Sequence, residues 1–403
     1  MKKIISVLVI VFMMILLNLN VFAFENESYY DVPELKGTSI NVYNWGEYIS
    51  EEDSEEDGLI DVNAAFEELT GIHVNYTNFA SNEDLYAKLK SGGASYDVII
   101  PSDYMVSRLI AEGLVQKIYP QELPNYKYVS EEYRGMYFDE KDEYSVAYSV
   151  GMVGLIYNRE MVDEIPTSWS ALWDPKYAGK ILMFDNPRDS FAIAQKLLGQ
   201  SLNTTDQVEW QAAADQLIAQ KNFLQGYVMD ETYNKMEAGE AALAPYYVGD
   251  FVCMQEVNPD LDFVYPSEGV NIFVDSACVP TNAQNPEAAK LYINFLLDPE
   301  VAMANAYAIG YATPNTGALE SEDYAEMAEN KYLYPDIAPD TEYFHDQDDI
   351  TRNTMNELWN TVKASGENSV SLYIAYGVTA LIIGGFLIYR TALKKYRESF
   401  YDA

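Results

Sequence analysis

The sequence predicts an α/β protein of two lobes, placed between a secretion signal and a membrane-spanning tail. Three observations lead there. Strand-like and helix-like runs alternate in two series, the hydrophobic fraction of 49% is ordinary for a folded chain, and 403 residues exceed what one core usually serves. No linker separates the two series, so strands are expected to cross between the lobes near residues 148–152 and 274–280.

Lys2 and Lys3 precede an apolar run from Ile4 to Leu17, and Val21-Phe22-Ala23 supplies a small residue for cleavage. Residues 1–23 therefore read as a signal peptide, since the run is short for a stable span. No cysteine follows the run (the first is Cys253), which leaves no thiol there for lipid attachment. Residues 24–37 are polar, acidic and without periodicity, and read as a linker.

Ser39-Ile40-Asn41-Val42-Tyr43 alternates as a strand does, then breaks at Asn44 and Gly46, which leaves Trp45 and Tyr48 on a turn. Asp61 is placed to cap a helix over Val62 to Leu69 that stops at Gly71. His73 to Phe79 reads as a strand, with His73 half-buried in it. Asn82 to Leu89 is helical, Tyr96 to Ile100 is an apolar strand, and a further helix runs from beyond Pro101-Ser102-Asp103-Tyr104 to Gly113.

Tyr144 to Tyr148 and Val153 to Tyr157 read as strands flanking Gly151. The second series follows: strand Lys180 to Phe184, helices Arg188 to Leu198 and Asp206 to Ala219, and a strand-like Leu243 to Val248. Pro245 argues for an edge position there. Phe263 to Tyr265 is a short strand, Ile272 to Val279 returns as a strand, and Pro286 to Leu297 is a helix. The expected division is lobe 1 at 38–148 with 279–345, lobe 2 at 149–278, and a polar, partly helical juxtamembrane segment at 346–367.

From Asn368 to Tyr389 no residue is charged, and about 20 such residues cross a bilayer as a helix. Arg390, Lys394, Lys395 and Arg397 follow, and such clusters stay in the cytoplasm. A single-pass protein is expected, with a span at 368–389, a cytoplasmic tail at 390–403, and the body outside the cell or in the periplasm.

The net charge of −38 argues against a nucleic-acid partner. Signal and tail hold six of the 25 basic residues and two of the 63 acidic ones, so the body alone carries −42. A catalytic role has little to draw on. There are two histidines, no phosphate loop and no spaced metal ligands, so neither catalysis, a cofactor nor a metal is expected. The acidic run Glu51 to Asp57 is most simply a solvated loop. Cys253 and Cys278 either pair or remain buried thiols.

Polar and aromatic residues recur at or beyond strand ends, where ligands collect in α/β sheets. They are Trp45 and Tyr48, Ser102 and Tyr104, Asn186 and Asp189, Tyr247, Phe273 and Asp275, and Tyr311. Each aromatic alone is explained by packing, and acids at a helix start by the helix dipole. Together they suit an organic cation, with carboxylates taking hydrogen bonds from ammonium groups and rings covering the methylenes.

Several motifs carry a resemblance. They include Tyr43-Asn44-Trp45-Gly46-Glu47-Tyr48, Tyr96 through Tyr104, Thr167 through Tyr177, Asp275-Ser276, Asn294 through Leu297, Gly310 through Asn315, and Leu333-Tyr334-Pro335-Asp336. In this order, over Thr38 to Asp336, the chain resembles the spermidine/putrescine-binding proteins of polyamine ABC transporters. The resemblance implies a type II periplasmic-binding fold that closes on its ligand by hinge motion. It also implies partners: a polyamine ligand, and permease subunits with their ATPase. Trp45 and Tyr48 match the family's first aromatic wall, Ser102 and Tyr104 its floor, Asp189 an amine-binding carboxylate, Asp275 the main carboxylate and Tyr311 a further wall.

Two departures bear on the choice of amine. Asn186 stands where some members have aspartate, and Tyr247 and Phe273 replace tryptophans. Trp169 and Trp173 belong to a family motif but are expected to pack the second lobe. The alternatives carried forward are another cationic ligand in the same fold (a thiamine-like cation or an iron complex), or a polyamine-sensing receptor.

Overall fold

The computed structural model describes residues 24–51, 59–335 and 340–365. The expected signal peptide, membrane span and cytoplasmic tail lie outside the described residues. Among the described residues, no helix is long and apolar enough to cross a membrane.

Among the described residues ten strands build the scaffold: β1 (Ser39–Trp45), β2 (His73–Phe79), β3 (Val98–Ile99), β4 (Ser145–Asn158), β5 (Ile181–Phe184), β6 (Leu224–Val228), β7 (Leu243–Tyr247), β8 (Leu261–Val264), β9 (Val270–Cys278) and β10 (Thr341–Tyr343). Their order is β2-β1-β3-β9-β4-β7-β5-β6, with β8 on β4 and β10 on β9. β1 runs parallel to β2 and β3, and β5 runs parallel to β6 and β7. These two parallel groups are the cores of the two lobes. Between them β4 and β9 lie antiparallel.

β4 runs through both groups. Its first half, Ser145 to Met152, pairs with β9, and its second half, Val153 to Tyr157, pairs with β7. Two shorter strands were expected there, broken at Gly151. One strand runs through, because Gly151 makes room for rings: a Cβ on it would stand 2.3 Å from Phe273 Cζ and 2.8 Å from Tyr311 Cε1.

Local signals placed most helices. Asp61 accepts from Ala64 N at the start of Val62–Thr70, and Gly71 closes that helix at φ +71°. Ser81 caps Asn82–Ser91, and Asn186 caps Pro187–Leu197 by accepting from Arg188 N. Trp169 and Trp173 donate to Gly269 O and Gln216 O, inside the second lobe. Cys253 and Cys278 are free thiols.

Four further expectations are corrected. Pro245 does not mark an edge, since β7 lies between β4 and β5. Leu243 N points to Lys180 O on the β5 side, so Pro245, two residues on, turns its missing donor the same way. The β5–β7 ladder pairs only at Ile181 and Leu243, so no bond is forfeited. Residues 24–37 are not a free linker: Tyr30 is buried and accepts from Asn294 Nδ2 at 2.7 Å, and the Phe24 ring packs on Phe295. His73 is exposed, with Nδ1 2.7 Å from Glu67 Oε1.

The fourth concerns the return of the chain. β10 pairs with the lobe-2 end of β9, and the helix Asp349–Ala364 packs on the helices Gln207–Gln220 and Pro187–Leu197. Trp359 sets its ring against Phe191 and Tyr227, and Val362 is fully buried. Lys221 caps the helix end by donating to Val362 O at 2.8 Å, Lys363 O at 2.7 Å and Ser365 O. Residues 340–365 thus dock mainly on the second lobe, while Phe344 also packs on Tyr104 and accepts from Tyr137 of the first; they are not a bare approach to a membrane.

Candidate functional site

The turn after β1 is held by one side chain. Asn44 Oδ1 accepts from Trp45 N and its Nδ2 donates to Tyr48 O, while Glu47 takes φ 51°. Tyr48 is thereby turned inward. Its hydroxyl donates to Asp275 Oδ2 at 2.7 Å and lies 3.1 Å from Ser149 Oγ on β4. Trp45 packs on Phe79, and its Nε1 is buried with no hydrogen-bond partner.

Asp275 sits on β9 where the two lobes meet. It is 3% exposed, and Oδ1 accepts no hydrogen bond. Burial pushes its carboxyl up to about 6, against the lowering effect of the Tyr48 and Ser102 hydroxyls. Ser102 bridges Asp275 through the backbone and is fixed by Asn82, whose Nδ2 donates to Ser102 Oγ.

A second carboxylate comes from the other lobe. Asp189, in the first turn of Pro187–Leu197, accepts from Tyr247 Oη and Asn186 Nδ2, both at 2.8 Å. Burial raises it to about 6, while Tyr247 and Arg188 pull it down. A third, Asp250, accepts from Tyr233 at 2.6 Å and from Tyr311, and burial raises it too.

Rings fill the space between these groups. Tyr48 and Tyr311 are buried together, with Trp45, Tyr148, Tyr247 and Phe273 packed around them. Tyr311 lies 5.4 Å from Tyr48 and 6.2 Å from Phe273, and Phe273 meets Tyr247 edge to face at 5.8 Å. The Tyr311 ring rests on Gly249 of the second lobe, where a Cβ would come within 2.1 Å. Tyr104 completes the set: it is buried, donates to Glu83 Oε1 at 3.2 Å, and has Arg188 over its ring.

All ten residues expected from the sequence therefore meet at one interlobe locus. Asn186 is there mainly as a helix cap and as a donor to Asp189. Tyr148, Ser149, Glu83, Arg188 and Tyr233 were not anticipated. Tyr148 and Ser149 lay within the expected crossing, and Arg188 between two chosen residues, but nothing in the sequence pointed to Glu83. Among the described residues, no group of three or more His, Cys, Asp or Glu is arranged to hold a metal ion. Buried carboxylates lined by aromatic faces can accept hydrogen bonds from ammonium groups and enclose a methylene chain.

Residues 62–332 match the family model described as bacterial extracellular solute-binding protein. The chain belongs to the bacterial extracellular solute-binding proteins. This is a family of binding components and not of enzymes.

Within that family the chain is 37% identical over 296 residues to the spermidine/putrescine-binding periplasmic protein of Escherichia coli (strain K12), covering 73% of this chain and 82% of the relative. It is 32% identical over 317 residues to spermidine/putrescine-binding periplasmic protein 1 of Haemophilus influenzae, covering 77% and 84%. Among solved structures, a spermidine/putrescine ABC transporter protein of Listeria monocytogenes matches with a TM-score of 0.75 at 34% identity, covering 81% of this chain and 99% of that one. A spermidine/putrescine ABC transporter substrate-binding protein of Streptococcus pneumoniae matches with a TM-score of 0.70 at 32% identity, covering 81% and 99%. These likenesses agree with the two-lobed fold and with the motifs noted above.

Proposed function

We propose that this solute-binding protein captures a polyamine, spermidine or putrescine, between its lobes and delivers it to the permease subunits of an ABC importer. The observation that carries this is Asp275, a buried carboxylate with one oxygen engaged by Tyr48 and the other unpartnered, set among aromatic rings. One ammonium group would fit at Asp275 Oδ1 and a second at Asp189. Tyr48, Tyr247, Phe273, Tyr311 and Trp45 would cover the methylenes, with Ser102 and Tyr104 beneath. The relatives' named ligands support the same class.

In this reading lobe 1 comprises 38–148 with 279–335, lobe 2 comprises 149–278 with the returning segment, and closure occurs about β4 and β9. Residues 1–23 act as the export signal. Residues 368–389 tether the body at the outer face of the membrane, and 390–403 lie in the cytoplasm. The uncharged stretch and the basic residues that follow it support the tether. Recovery of the mature protein from the soluble secreted fraction, with its C-terminus removed, would count against it.

Calorimetric titration of the purified protein with spermidine and then putrescine tests the substrate. Saturable one-site binding establishes the class, and the ratio of affinities gives the preference. No heat from a folded sample with either amine would refute the polyamine and turn attention to other cations.

A further inference from the structure

Arg188 belongs to the second lobe, one residue before Asp189, yet its side chain ends in the first. Its guanidinium carbon stands 4.0 Å from the centroid of the Tyr104 ring, and Nη2 is 4.0 Å from Glu83 Oε1. Phe344, on the returning segment, flanks it at 5.3 Å. Tyr104 donates its hydroxyl to the same Glu83 carboxylate. The Arg188 side chain is 7% exposed, and its Nε and Nη1 are buried with no hydrogen-bond partner.

Two opposing effects meet in this contact. Bringing the lobes together gains a guanidinium–ring attraction and the field of Glu83. It also leaves two cationic donors without acceptors, which costs what an unsatisfied buried donor costs. Opening returns those donors to water and gives up the ring. The attraction to the ring and to Glu83 exists only while the lobes are together, so its loss acts on opening.

We propose that Arg188 is a positioning residue, a latch across the lobes that sets how long a bound amine stays by holding Tyr104 and Glu83 against the second lobe. The contact requires the lobes to have met, so it slows opening and leaves the encounter with ligand unchanged. This rests on the polyamine reading for its ligand, but the latch itself does not require one.

The test combines stopped-flow fluorescence with amide hydrogen exchange on the full chain, comparing parent, Arg188→Ala, Glu83→Gln and the double variant. With putrescine and spermidine as probes, Arg188→Ala is expected to raise the dissociation rate about tenfold and to leave association within about twofold. Glu83→Gln is expected to raise it about threefold in the parent and to add nothing in Arg188→Ala. Without ligand, Arg188→Ala should speed exchange in Asn82–Ser91, a first-lobe helix to which it does not belong. A dissociation rate unchanged in both single variants overturns the latch, as does an additive double variant. Should Arg188→Ala fail to fold, Glu83→Gln decides alone, since its carboxylate is 61% exposed; unchanged dissociation and exchange there would overturn the proposal. Failure of both amines to bind the parent would overturn the polyamine reading alone. The latch would then stand if exchange in Asn82–Ser91 is faster in Arg188→Ala, and fall if it is not.

Discussion

Tyr48 donates its hydroxyl to Asp275 Oδ2 at 2.7 Å, joining the turn after the first strand to the strand where the lobes meet, 227 residues later. The bond occupies one carboxylate oxygen and leaves Oδ1 buried without a partner. A buried carboxylate in that state is costly for the fold and available to a cation, which sets function against stability at a single residue.

Asp275→Asn should separate the two. Amine affinity is expected to fall by about 2–5 kcal/mol, the scale of removing one partner of a desolvated charge pair. Stability of the ligand-free protein at neutral pH should rise by about 1–3 kcal/mol, because the shift to about 6 opposes ionisation of the native carboxylate. Calorimetry and denaturant melts read the two effects. Equal affinity in the variant would refute the assignment of Asp275.

The same shifts give a pH dependence of definite sign. Asp189 and Asp275 both titrate near 6 when folded, above the ordinary carboxyl range, so ionising them disfavours the folded state. Their contribution to stability is full below about pH 4 and is lost as pH rises through about 6. Relative to Asp275→Asn, the native protein should therefore weaken across that window. Amine binding runs the other way: it needs the ionised forms, so affinity should fall as pH drops below about 6, with proton release on binding. A flat affinity from pH 7 to 5 would contradict this.

Gly249 meets the Tyr311 ring so closely that a methyl group cannot enter without moving one lobe. Gly249→Ala should leave each lobe folded, lower amine affinity about tenfold or more, and abolish ligand-induced compaction in small-angle scattering. Compaction equal to that of the parent would mean that the Tyr311 contact is not needed for closure.

Trp359 carries the seat of the last described helix. Trp359→Ala removes ring contacts to Phe191 and Tyr227 and should cost about 2–4 kcal/mol, measured by chemical denaturation. Were 346–367 only a connection to the membrane, the substitution would be silent.

Local rules made most of the fold legible. Asp61 and Asn186 announce helix starts, and the alternation through Val42 places β1. The candidate site was visible because its residues cluster at strand ends. Other features needed the assembled chain. Gly151 looked like a break, and only the rings of Phe273 and Tyr311 explain why it lies within a strand. Pro245 looked like an edge, and the direction of its missing donor depends on register. Arg188 and Glu83 carry no pattern that couples them, since their meeting follows from how two lobes approach. The helix Asp349–Ala364 was legible after all: Met355, Leu358, Trp359 and Val362 fall on one helical face, and the polar residues between them masked it.

Lys221 grips the last carbonyls of that helix, and Lys363 pairs with Asp185, one residue before Asn186. With the proposed tether in place, tension on the chain beyond Ser365 would be delivered to the second lobe, beside Asn186 and Asp189, and would reach the first through β4 and β9 and through the contacts of Phe344 and Arg188 with Tyr104. Under that proposed tether the protein would work as a vice with one jaw bolted to the bench, the second lobe as the fixed jaw and the first as the one that swings.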